Sequence, residues 1–157
     1  MKIALREISK SFGTVDANSG INLSVSGGEV LGLLGENGAG KTTLMNILTG
    51  LDQPDSGQIL IKDKERKFSN PRDAIKNGIG MVHQHFMLVP VFSVTENVSV
   101  GKEPISSLNR INLKKARQKV LNISSKYNLD VNPDESIERL PVGVQQRVEI
   151  IKILFMA

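Results

Sequence analysis

Residues Gly35 to Thr42 read Gly-Glu-Asn-Gly-Ala-Gly-Lys-Thr, a full match to the pattern G-x-x-x-x-G-K-S/T. That pattern constrains the fold because it works in one setting, where a buried strand runs into a glycine loop and a helix leaves it. The flanks agree. Val30 to Leu34 are an unbroken apolar run of the length expected for a buried parallel strand, and Lys41 to Thr49 read as a helix with Gly50 placed to end it.

The residue types suit phosphate chemistry. Gly35, Gly38 and Gly40 lack a β-carbon, so the backbone can wrap around a phosphate with its N–H groups turned inward. The helix adds free N–H groups and the positive end of its dipole, about half a unit charge. Lys41 is placed to reach the β- and γ-phosphates, and the Thr42 hydroxyl to sit on the Mg²⁺ that accompanies them.

Composition narrows the setting. The 157 residues are 39% hydrophobic and include no cysteine, which excludes a disulfide framework, cysteine zinc sites and thiol catalysis. No apolar run has the length of a membrane span, and the charges in Met1 to Glu7 fall where a signal peptide would be apolar, so a cytoplasmic chain is expected. The net charge of +4 comes largely from Lys62, Lys64, Arg66 and Lys67, and from Lys114, Lys115, Arg117 and Lys119. Neither cluster is interleaved with aromatics, so no nucleic-acid partner is expected.

Alternation through Ile3, Leu5 and Ile8, and again through Ile21, Leu23 and Val25, predicts half-buried antiparallel strands. Strands are also expected at Gln58 to Ile61 and Ile79 to Val82. Asn70-Pro71 predicts an N-cap with proline at the first helical position, and Ser93 to Glu96 has capping-box spacing. Asn112 precedes a stripe of Leu113, Ala116, Val120, Ile123 and Tyr127, and a last helix runs through Val148, Ile151 and Leu154. The expected fold class is α/β, a P-loop core with a mixed sheet, an antiparallel β lobe and the start of a helical lobe. The N-terminal lobe and core are assigned to residues 1–92, and the helical lobe, with Leu140 to Arg147, to 93–157.

This order of segments resembles the ATP-binding domain of ABC transporters over the whole chain. Phe12 looks like the family's aromatic that stacks on adenine. Asn37, Gly38, Ala39, Gly40, Lys41, Thr42 and Thr43 are similar to its usual phosphate loop. Gln84 resembles its glutamine that contacts Mg²⁺ and the attacking water, and Leu140 to Arg147 stand where its LSGGQ-x-Q-R signature belongs. Met81 to Pro90 look like the subgroup that imports nucleosides or simple sugars. The resemblance implies ATP and Mg²⁺ as cofactors, with Thr42 and Gln84 on the metal. It implies integral-membrane permease subunits and a second ABC ATPase domain as partners, and a peripheral place on the inner face of the membrane.

The sequence departs from the family twice. Pro141, Val142 and Val144 replace the signature's serine, first glycine and glutamine, while Leu140, Gly143 and Gln145 remain as candidates to contact nucleotide held by the opposite domain. Proline offers neither an N–H nor a hydroxyl, so this trans contact is expected to be weaker. The Walker B carboxylates and switch histidine follow the signature helix in the family and do not occur in these residues. The ATPase reading by resemblance therefore carries the expectation that this chain holds nucleotide without turnover. A truncated nucleotide-binding or scaffold remnant is the alternative.

Overall fold

The structure, a computed structural model, describes residues 1–83, 87–105 and 111–156. The chain forms two compact units, Met1–Gly80 and Met81–Ala157.

The first unit is built on a four-stranded sheet in the order β2-β1-β3-β4, with β1 at Lys2–Phe12, β2 at Val15–Ser26, β3 at Ser56–Ile61 and β4 at Lys64–Arg66. Every pairing is antiparallel. The predicted alternation appears as register: Ile3 faces Val25, Leu5 faces Leu23 and Ile8 faces Ile21. Helix α1, Lys41–Leu48, lays Leu44 and Ile47 among Leu5, Ile8, Ile59 and Ile61, and Phe68 and Ala74 close the cluster. Full burial of each large side chain here contributes about 1.5–3 kcal/mol. Gly50 ends α1 in the left-handed region at φ 75°, where a β-carbon would lie 2.7 Å from the Asn70 carbonyl oxygen. Asn70 then caps α2, Pro71–Lys76, by accepting the Asp73 N–H.

Two expected strands do not form. Residues 30–34 and 79–82 carry no strand structure, and Val30 and Leu34 are 98% and 94% exposed. An apolar segment becomes a buried strand only when neighbours pair with both its edges and layers cover both its faces. No described strand pairs with either segment. The expected mixed sheet is accordingly an antiparallel one among the described residues.

The second unit is helical. Helix α3, Val94–Ser99, packs with α4, Leu113–Tyr127, and α5, Val142–Met156, around Val94, Val98, Val120, Val148, Ile151 and Phe155. Asn112 caps α4 as expected, accepting the Lys115 N–H at 3.0 Å. Of the predicted stripe, Ala116, Val120 and Ile123 are buried, while Leu113 and Tyr127 are exposed. Ser124 continues the buried face instead, with its hydroxyl bonded to the Leu129 carbonyl. Residues 87–92 belong to this unit, because Asn97 holds the Val89 N–H at 2.7 Å and its carbonyl at 3.0 Å. The boundary at Gly80 thus precedes residue 92, where the change of lobe was expected.

The capping box at the start of α3 is complete. Ser93 Oγ accepts the Glu96 N–H, and Glu96 Oε2 accepts the Ser93 N–H at 2.8 Å and its hydroxyl at 2.7 Å. The Ser93 hydroxyl and then its N–H hold the Glu96 carboxyl below the ordinary carboxylate value. Ser93→Ala is expected to lower unfolding free energy by about 1 kcal/mol at neutral pH. Because the folded value is depressed, Glu96's share is present above the unfolded value and is lost as pH falls through the folded one. Urea titrations taken down through the acid range should show the difference between the two proteins shrinking.

Candidate functional site

The loop between Gly35 and Lys41 closes on its own lysine. Lys41 Nζ donates to the Gly35 carbonyl at 2.7 Å and to the Glu36 carbonyl at 2.6 Å, and the Ala39 N–H bonds to the Glu36 carbonyl at 3.2 Å. A β-carbon on Gly35 would sit 3.9 Å from Lys41 Nζ and 3.5 Å from the Ala39 methyl. Gly40 caps α1 in the left-handed region at φ 76°, and its carbonyl accepts the Leu44 N–H at 2.9 Å. The N–H groups of Lys41, Thr42 and Thr43 stand in the first turn, where no intrahelical acceptor exists for them. Asn37, Gly38, Ala39 and Thr42 are exposed, and Thr43 is half-buried. Those free donors and the lysine ammonium provide for an anion.

Phe12 lies in the same unit, at the end of β1, and is 50% exposed. It is a free aromatic surface rather than a core side chain. Lys10 Nζ stands 5.4 Å from the ring centroid and also donates to Asp55 Oδ1 at 2.8 Å. Asp55 Oδ2 accepts the Ser11 N–H at 2.7 Å. The Lys10 bond first, then the Ser11 bond, hold the Asp55 carboxyl below its ordinary value. The end of β1 that carries Phe12 is thereby tied to the turn before β3.

Gln84 lies outside the described residues. The signature positions, Leu140 to Arg147, belong to the second unit. The Pro141 carbonyl accepts the Val144 and Gln145 N–H groups at 2.8 and 3.0 Å, so this proline stands just ahead of α5, where its missing N–H breaks no bond of the helix ladder. Val142 and Gly143 are exposed on the first turn. Gln145 Nε2 turns back to the Leu140 carbonyl at 2.9 Å and the Ile137 carbonyl at 3.3 Å, bracing the chain before the helix. Leu140 packs against the helical core.

Two arrangements go beyond the sequence expectations. Asn18 on β2 reaches the Gly40 carbonyl. On α5, Glu149 accepts the Met87 N–H and Lys152 donates to the Met87 carbonyl, each at 3.0 Å. The only sign of the second was a carboxylate, Glu149, set between the apolar Val148 and Ile150 of α5.

A glycine loop closed on a lysine at the start of a helix, in one unit with an antiparallel sheet, is the arrangement of the P-loop class. A family model described as ABC transporter matches residues 18–157, and the chain belongs to the ABC transporter family. It is 49% identical over 153 residues to the nucleoside import ATP-binding protein NupA of Lactococcus lactis and 48% identical to the guanosine import ATP-binding protein NupO of Bacillus subtilis. It is 44% identical to the ribose import ATP-binding protein RbsA of Caldanaerobacter subterraneus. Each alignment covers 98% of this chain, which spans 30%, 30% and 31% of those relatives. Among solved structures, a nucleotide-free ATP-binding cassette from an ABC transporter superposes with a TM-score of 0.84 at 27% identity, over 99% of this chain and 66% of that one. The fold is that of an ABC ATPase cassette.

Gly40→Ala tests the loop geometry. A methyl group there would lie 2.0 Å from the Ala17 carbonyl oxygen, in a backbone conformation that disfavours a side chain. The expected cost is about 2–3 kcal/mol or more, read as a lower unfolding midpoint, with loss of triphosphate binding in a titration of the folded protein.

Proposed function

We propose that this chain is the ATP-binding part of the energy-coupling ATPase of an ABC importer, serving a solute of the nucleoside or simple-sugar class. The observation that carries the proposal is the closed loop, in which Lys41 spans the Gly35 and Glu36 carbonyls at the start of α1. The names of the relatives support the solute class, as nucleoside, guanosine and ribose importers.

In this reading the N–H groups of the loop and of the first turn of α1 hold the phosphates, and Lys41 leaves its carbonyl partners for the β- and γ-phosphate oxygens. Phe12 offers its exposed face to adenine. Mg²⁺ would supply charge neutralisation between the phosphates. The exposed Thr42 hydroxyl and Gln84 are its candidate protein contacts, and the oxygen donors match a hard cation that otherwise keeps phosphate and water. Leu140, Gly143 and Gln145 belong to the surface offered to nucleotide on a second cassette. There Pro141 supplies no N–H and no hydroxyl, so the contribution rests on Gly143 and the start of α5. A bacterial ABC cassette similar to this chain, at a TM-score of 0.71, has been solved as a dimer. Permease subunits at the inner face of the membrane complete the assembly.

In this reading these residues hold nucleotide without turning it over, since phosphoryl transfer needs a positioned water and a base. Calorimetric titration with Mg·ATP should show binding that Lys41→Ala weakens at least about tenfold, the loss of a charged hydrogen-bond donor to phosphate. Phosphate release should stay at background. Equal affinity in the variant would overturn the site, and phosphate release abolished by Lys41→Ala would overturn the absence of turnover.

A further inference from the structure

β2 does not follow β1 in unbroken register. Lys10 faces Asn18, yet the next residue of β1, Ser11, faces Asp16, so Ala17 is an extra residue on β2. A bulge of this kind bends its strand and re-aims the residues beside it. Here it backs onto the phosphate loop. A β-carbon on Gly40 would lie 2.0 Å from the Ala17 carbonyl oxygen and 2.6 Å from Asn18 Nδ2. Asn18 Nδ2 donates to the Gly40 carbonyl at 3.3 Å, so that carbonyl is held from two sides, by Asn18 and by the Leu44 N–H.

Asn18 is 6% exposed, and its Oδ1 is a buried acceptor without a hydrogen-bond partner among the described residues. Such a group destabilises a fold, and a side chain selected for stability alone would not carry it. The unsatisfied oxygen belongs to the side chain that reaches the loop's last carbonyl.

We propose that Asn18 is a positioning residue for the phosphate loop. Its Nδ2 fixes the Gly40 carbonyl, and with it the direction of the first free N–H groups of α1 and the departure of Lys41. This rests on the reading of the loop as a nucleotide site. Without the bond, the loop keeps its sequence and its glycines but no longer presents its donors in one direction. Phosphate affinity then falls while the fold is relieved of an unsatisfied acceptor, the opposite signs expected of a residue kept for function.

The test uses the full 157-residue chain, titrated with inorganic triphosphate and with ATP, and unfolded by urea without ligand. Asn18→Ala should weaken both ligands about three- to tenfold and leave the unfolding midpoint unchanged or raised. Asn18→Asp keeps the shape but replaces the donor with an acceptor, and should weaken both ligands at least as much. Triphosphate affinity within twofold of the unaltered chain in both variants would overturn the proposal, as would a loss of affinity that only tracks a lowered midpoint. Failure of the underlying site reading looks different: triphosphate would then bind the unaltered chain and Lys41→Ala equally.

Discussion

The Gly40 carbonyl is the point on which the site depends. It receives the Leu44 N–H that begins α1 and the Asn18 amide from β2, and its residue sits where any side chain would strike the Ala17 carbonyl. Those contacts set the direction in which the helix leaves the loop. The helix direction sets where its free N–H groups point, and Lys41, the first helical residue, folds back over the Gly35 and Glu36 carbonyls from that position. The core side of α1 then seats Leu44 and Ile47 on the sheet. The proposed phosphate loop is therefore fixed by contacts to its last carbonyl and by the apolar packing of α1.

The helical unit reaches its order by different means. Its short helix α3 is held by a closed capping box and by Asn97, which bonds both polar groups of Val89. Its long helix α5 begins just after Pro141, whose missing N–H breaks no bond of the helix ladder but which, unlike serine, has no hydroxyl to cap the first turn. The same substitution removes a donor that the family signature would offer to nucleotide.

Much of this was legible in the sequence, and the parts that were not share a cause. The phosphate loop, the caps at Asn70, Ser93 and Asn112, and the pairing of Leu5 with Leu23 are set within a few residues or by simple alternation. Val30 to Leu34 carried a strand's composition, but strands exist only with partners, and none of the described strands pairs with them. Asn18 was hidden because a second register irregularity, between the Ile8–Ile21 and Lys10–Asn18 pairs, shifts the alternation of β2, so its burial could not be counted from Ile21 or Leu23. The tie between Met87 and α5 joins residues far apart in the chain, which no spacing rule reaches.

The central claim is that nucleotide is held through its phosphates by a loop closed on Lys41. Calorimetric titration of the chain with adenosine, AMP, ADP and ATP in the presence of Mg²⁺ tests it most directly. Affinity should rise with the number of phosphates, with the largest gain at the β-phosphate that Lys41 is placed to meet. Adenosine binding as tightly as ATP would contradict it.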